Sequence, residues 1–259
     1  MTTSGDRGSA PSSSPAGRKG LFVAEIVRAL QAREVDLAVH SAKDLPSDDP
    51  DDVVVAAVPE RASPFDVLVS REPTLPAGAT VGSSSLRRRA QLLRTRPYRV
   101  VDVRGNVDTR LRKMLEGRFD GLVLAAAGLA RLGATTPHVE TLSQDEVVPA
   151  PGQGALAVQT RADSGAREVV ARIDHRPSRL AFEAERALVG HLGGGCALPL
   201  GALASVLDGR IHLVAVVLRP DGTGYVRAEA TADAPEAVAR EVGELLGAQG
   251  AREILEELR

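Results

Sequence analysis

The one thiol of this 259-residue chain, Cys196, follows three glycines in Gly193-Gly194-Gly195-Cys196-Ala197-Leu198-Pro199. A single cysteine forms no internal disulfide, so the sulfur packs, ligates or reacts. Glycines free the backbone and leave no side chains over the sulfur, which suits a loop approached by a large group. The plain alternative is a small buried hydrophobe. A second set of chemically able residues is basic. Arg87-Arg88-Arg89 follows Gly82-Ser83-Ser84-Ser85-Leu86, Arg104 opens Arg104-Gly105-Asn106, and Arg110 and Arg131 lie further on. Guanidinium forks suit carboxylates, and this many of them suit a ligand carrying several. The alternative for Arg87, Arg88 and Arg89 is a solvated helix face. Asp44, in His40-Ser41-Ala42-Lys43-Asp44-Leu45-Pro46, is an acid among basic groups. In a crevice it would stabilise a cationic intermediate or relay a proton; otherwise it is a turn residue before Leu45-Pro46.

These groups need elements to bring them together. Residues 1–19 are rich in Ser, Pro and Gly without hydrophobic period, the composition of loop or disorder. From Gly20 an amphipathic helix puts Leu21, Phe22, Ile26, Val27 and Leu30 on one side. Strands are expected at 37–39 and 53–58. Beyond the connection at 59–62, strands near 67–69, 80–81, 100–103 and 122–124 alternate with helices over about 84–94, 106–115 and a short one near Leu129. Alternation at this spacing predicts an α/β layout with a largely parallel sheet. A further strand is expected at 154–159 after the Pro149-Ala150-Pro151-Gly152 break.

The last third reads as α+β. A long helix over about 178–191 leads into the cysteine loop. Strand-like runs follow at 200–206, 211–218 and 225–230, with Asp208-Gly209 and Asp221-Gly222 turns between them, and helices at 235–246 and 252–258 close the chain. The expected domains are 1–58 with 153–173, then 60–150, then 175–259. Ligands of open α/β sheets sit outside the carboxyl ends of strands, at helix N-termini. Ser41, Lys43 and Asp44, the serines 83–85, and the arginines that follow later strands should therefore converge on one crevice.

Composition narrows the functional classes. A net charge of −2, 2% aromatic residues and no Trp argue against a nucleic-acid partner. Neither a membrane-length apolar run nor a signal peptide is evident, so a membrane partner is not expected. One cysteine without an export signal fits the cytoplasm. No metal is expected.

Several stretches together resemble the porphobilinogen deaminase (hydroxymethylbilane synthase) family, in the family's order and over nearly the whole chain from Lys19. They are Lys19-Gly20-Leu21-Phe22, Val39-His40-Ser41-Ala42-Lys43-Asp44-Leu45-Pro46, Gly82-Ser83-Ser84-Ser85-Leu86-Arg87-Arg88 and Arg104-Gly105-Asn106-Val107-Asp108-Thr109-Arg110. Further on come Ala127-Gly128-Leu129-Ala130-Arg131-Leu132-Gly133, Gly152-Gln153-Gly154-Ala155, Glu183-Ala184-Glu185-Arg186 and the Gly-Gly-Cys loop before Pro199-Leu200-Gly201. The resemblance implies two lobes like those of periplasmic binding proteins and a smaller α+β C-terminal domain, in a monomer. It implies a transferase that joins four porphobilinogen units head to tail. Each addition expels ammonia to give an electrophilic azafulvene, and water finally releases hydroxymethylbilane. A dipyrromethane cofactor, held by a thioether, acts as primer.

Carried over by position, Cys196 is the attachment point and Asp44 the catalytic acid. Lys43, Ser41, Ser84, Ser85, Arg87, Arg88, Arg104 and Arg110 match cofactor-binding positions. Arg131, Gln153 and Lys19, the last at the edge of the family's flexible loop over the active site, are the substrate-binding candidates. Every pyrrole carries two carboxylates, so a lengthening product needs an array of cations, and positive charge on pyrrole nitrogen needs one placed carboxylate. The chain departs from the family at its start, where a strand, an Arg-x-Ser-x-Leu-Ala segment, a helix and most of a second strand are expected. Two readings follow: a start codon assigned inside a longer frame, or an inactive truncated remnant. The rival from another class is a non-catalytic module that binds polycarboxylates.

Overall fold

The structure, a computed structural model, describes residues 15–193 and 198–258. It opens with helix α1 (Pro15–Gln31), which starts before the expected Gly20. Proline is tolerated in a first turn, where its missing N–H has no partner to lose, and Ala16, Arg18 and Lys19 are helix formers. Residues 15–19 are thus helix rather than loop. Val23, Val27 and Leu30 from α1 enter the core of a first lobe with Ala38, Val53 and Ala157. Its three strands are β1 (Leu37–Ser41), β2 (Val53–Ala57) and a late strand, β8 (Leu156–Arg161). The late strand lies between the other two and pairs antiparallel with both.

The second lobe lies between β2 and β8 in sequence. Strands β3 (Asp66–Ser70), β4 (Thr80–Gly82), β5 (Arg99–Val101), β6 (Gly121–Ala125) and β7 (His138–Thr141) form one sheet in the order β5-β4-β6-β3-β7. Helices α2 (Leu86–Thr95), α3 (Val107–Leu115) and α4 (Ala126–Leu132) cross it. Both faces are covered, so successive residues of β3 serve different cores: Val67 and Val69 on one side, Leu68 on the other. The expected largely parallel sheet is corrected here. Only β4–β5 and β4–β6 are parallel, while β3 runs antiparallel to both β6 and β7, and the first lobe has no parallel pair among its described strands. β7 was not foreseen because its residues are all exposed and show no alternation. Helix α5 (Ala166–Val170), a little over one turn, was also missed.

The C-terminal unit is a meander, β9 (Leu200–Leu207), β10 (Arg210–Val217) and β11 (Val226–Ala232), under helices α6 (Arg176–His191), α7 (Pro235–Ala248) and α8 (Ala251–Glu256). The Asp208-Gly209 hairpin takes positive φ at both residues (50° and 79°), the geometry that matches strand twist. Ile211, Leu213, Ala215 and Val217 face the helices, whereas Val216 packs towards Ala90 of α2 and Val148. Leu188 of α6 joins this unit's core and Phe182 enters the core of the first lobe. The helix that leads to the cysteine loop is therefore seated on two units at once.

Candidate active site

Strand β1 ends at Ser41, and Ala42–Asp44 make a single 3₁₀ turn that carries Lys43 and Asp44 half-buried. The Ala42 N–H donates to the Ala155 carbonyl at 3.1 Å, and the Leu45 N–H closes the turn on the Ala42 carbonyl at 3.2 Å. Behind it runs Gly152-Gln153-Gly154. Gly152 has φ +71°, and a Cβ there would stand 2.8 Å from both the Ala42 carbonyl carbon and the Lys43 nitrogen. Only glycine allows this loop to lie flat against the acid-bearing turn.

Across from it, β4 gives way to Ser83, Ser84 and Ser85, and Ser85 caps α2 by accepting the Arg88 N–H at 3.4 Å. Ser83 is buried and Ser84 exposed. Arg87 and Arg88 then turn inward rather than to solvent, at 4% and 8% exposure, which removes the solvated-face reading. Both converge on Asp66, which is fully buried on β3. Arg87 Nη1 donates to Asp66 Oδ2 at 2.7 Å, and Arg88 Nε donates to Oδ1 at 2.9 Å. Burial opposes the ionised form of Asp66, but the two guanidinium charges outweigh it and hold the carboxyl far below its usual range. Burial also lowers Arg87, with the like charge of Arg88 adding to it and Asp66 opposing.

Arg110, on α3, is half-buried, and first burial and then the charge of Arg88 lower its pKa. Among the described residues, Asp66 is the only acid in ion-pair distance of this group of three arginines. A buried cluster with more guanidiniums than carboxylates is held against its own repulsion, and an anionic ligand would balance it. That excess fits a group carrying several carboxylates.

Gln153 joins the two sides. Its side chain is buried and donates to the Pro64 carbonyl at 2.7 Å and to Asp66 Oδ1 at 2.9 Å, while its Oε1 lies 3.5 Å from Arg88 Nη2. Arg131 reaches the same segment, donating to the Gly154 carbonyl at 3.0 Å. Arg104 stands apart, exposed and paired with Asp102 at 3.0 Å. Lys19 lies on α1, its side chain outside the described residues, as Cys196 and the rest of 194–197 are altogether.

Sequence reasoning gave no role to three polar residues. Asp66 sits between Phe65 and Val67 in a run buried throughout. Glu185 occupies the apolar stripe of α6, with Ala181, Phe182 and Leu188. An acid inside an apolar periodicity was the available signal for both. The third, Arg61, donates to Glu185 through Nη1 at 2.7 Å and Nη2 at 3.1 Å. Glu185 also accepts the backbone N–H of Gly152 at 2.6 Å and of Ala204 at 2.7 Å, so one carboxylate ties both interlobe segments to β9. Among the described residues no cluster of His, Cys, Asp and Glu is arranged to hold a metal.

Residues 1–168 match the family model "Porphobilinogen deaminase, dipyromethane cofactor binding domain", and residues 179–249 match "Porphobilinogen deaminase, C-terminal domain". The porphobilinogen deaminase of Desulforudis audaxviator is 50% identical over 94% of this chain and 81% of its own length. That of Thermus thermophilus is 47% identical over 100% of this chain and 87% of its own. Among solved structures, the second substrate binding domain of a putative amino acid ABC transporter from Streptococcus pneumoniae is similar at a TM-score of 0.39, 14% identical, over 66% of this chain and 73% of that one. With two consecutive family models spanning most of its length and a relative half identical along it, the chain belongs to the porphobilinogen deaminase family.

Proposed function

We propose that this chain joins four porphobilinogen units head to tail into hydroxymethylbilane, releasing four ammonia and consuming a single water when the product is freed. The observation that carries this reading is the excess of buried guanidinium over carboxylate around Asp66, on the far side of Gly152-Gln153-Gly154 from an acid-bearing turn. Arg87, Arg88 and Arg110 hold ligand carboxylates, with Arg104 and Arg131 at the outer positions. The hydroxyls of Ser41, Ser84 and Ser85 and the ammonium of Lys43 add donors to the same crevice, and Gln153 and Lys19 are the remaining substrate-binding candidates. Asp44 supplies the proton taken up by the departing amine. Its carboxylate then faces the positive charge that spreads onto pyrrole nitrogen, which is electrostatic stabilisation of a developing cation.

Cys196 carries the dipyrromethane cofactor by a thioether. When bound, that group supplies the free pyrrole α-carbon from which the product grows. We place the reaction in the cytoplasm, with the protein a monomer and porphobilinogen its partner. Among the described residues, no helix is long and apolar enough to cross a membrane.

Intact mass spectrometry of the chain, produced in a host that makes porphobilinogen, tests this reading. The expected mass exceeds the sequence value by one dipyrromethane, and Cys196→Ser abolishes the increment. An unmodified wild-type chain, or a loaded Cys196→Ser protein, would overturn the assignment.

A further inference from the structure

The loop that follows the Asp44-bearing 3₁₀ turn is held by a residue of α6. Arg186 Nε donates to the Pro46 carbonyl at 2.9 Å, and its Nη1 donates to Asp49 Oδ2 at 2.7 Å. Asp49 Oδ1 accepts from Gln159 Nε2 at 2.7 Å. Gln159 lies on β8, the central strand of the first lobe. His40, opposite Ala157 in the β1–β8 register, shares a sheet face with Gln159, diagonally across. The ring of His40 is buried, and Gln159, Asp49 and Asp44 all act on it. His40 Nε2 and Gln159 Oε1 are both buried without a hydrogen-bond partner among the described residues. A string of hydrogen-bonded groups therefore runs from α6 through Asp49 to Gln159, which shares a sheet face with His40, two residues before the turn.

Arg186 and Asp49 are each only 18% exposed, so their ion pair is less screened than a surface pair. A guanidinium has a planar fork of donors in fixed directions, and here two of them grip one loop at two points. The same helix runs on in sequence to Cys196. The grip thus fixes the loop that begins two residues after Asp44 against the helix that precedes Cys196 in sequence.

We propose that Arg186 and Asp49 are positioning residues that set where Asp44 stands relative to the reacting pyrroles. The inference rests on Asp44 being the catalytic acid. The carboxylate-binding arginines belong to the second lobe, so loosening this brace should slow turnover and leave substrate affinity nearly intact. A misplacement of about 1 Å in a catalytic group costs about 100-fold in rate.

The test is Arg186→Gln in the full chain, measured for cofactor mass, kcat, KM and Tm. Arg186 also lines an open depression of about 350 Å³ between α6, Ser47-Asp48 and Glu236 of α7, so the shorter side chain creates no sealed void. The expected result is kcat lower by about 10–100-fold, with the cofactor retained and KM within about twofold. Arg186→Lys, which keeps a charge for Asp49 but cannot grip both partners, should recover part of the loss. Asp49→Asn should lower kcat in the same sense and add little to Arg186→Gln. Wild-type kcat in Arg186→Gln, or a loss confined to Tm or to cofactor loading, would overturn the proposal. If Arg186→Gln does not fold, Asp49→Asn decides, and an unchanged kcat there overturns it equally. Asp44→Ala separates the two levels. If that variant turns over normally, the acid role fails and the brace with it; if it is inactive while Arg186→Gln is normal, only the brace fails.

Discussion

Asp66 decides whether Arg87 and Arg88 can stay buried side by side. Replacing it by Asn keeps the shape and removes the charge, leaving two guanidiniums without a carboxylate. The expected loss of stability is about 3–5 kcal/mol, read from urea denaturation. The sign of the pH dependence follows from the depressed carboxyl. Its stabilisation is fully present above the ordinary Asp value of about 3.9 and fades as pH falls from there towards the lower folded-state value. Asp66→Asn should therefore show a flatter acid limb than wild type. His40 behaves in the same direction at higher pH. Burial lowers its pKa from 6.5, against the raising effects of Gln159, Asp49 and Asp44. Stability tied to the neutral ring is complete above that pH and declines as pH falls below it towards the lowered folded-state value, and His40→Asn should remove this slope. At the reacting centre, Asp44→Ala should keep its cofactor yet lose about 100-fold or more in kcat.

Turns and strand ends decide where those residues point. Gly152→Ala would force a side chain onto a backbone at φ +71° and press its Cβ within 2.8 Å of Ala42 and Lys43. A non-glycine residue held in that region costs about 1–3 kcal/mol. The turn would also have to shift, so kcat should fall more than Tm alone predicts, which steady-state kinetics on the loaded variant would measure. Most elements were legible in the sequence because their periods are clear. The meander showed itself through the apolar strand-like run at 211–218 and its Asp208-Gly209 turn, and α6 through its apolar stripe. The strand directions of the second lobe were not legible, since β–α alternation suggests parallel pairing whereas β3 pairs with β6 through a long detour. Of the crevice, Ser85 at a helix start and the Gly-rich 152–154 segment were readable from residue type. That Arg87 and Arg88 are buried against a carboxylate was not, because only the partner Asp66, 21 and 22 residues away, makes burial tolerable.

At the scale of the molecule, Glu185 is the common tie of three units, and its partner Arg61 lies 124 residues away, beyond what local pattern can disclose. Glu185→Gln replaces an acceptor of two backbone N–H groups and a guanidinium by an amide that cannot serve them all. The expected outcome is a loss of about 3–5 kcal/mol and a calorimetric transition that broadens or splits as the units uncouple. The placement of β8 has a consequence for how the chain is made. Among the described strands, β1 and β2 pair with nothing except β8, which follows β2 by about 100 residues. At a synthesis rate of about 5–20 residues per second, the first lobe waits about 5–20 s for its middle strand. The second lobe, complete in that interval, can fold on the ribosome while its host is still open. Birth order and folding order are thus reversed: the lobe begun first is closed by the strand that follows the whole of the second.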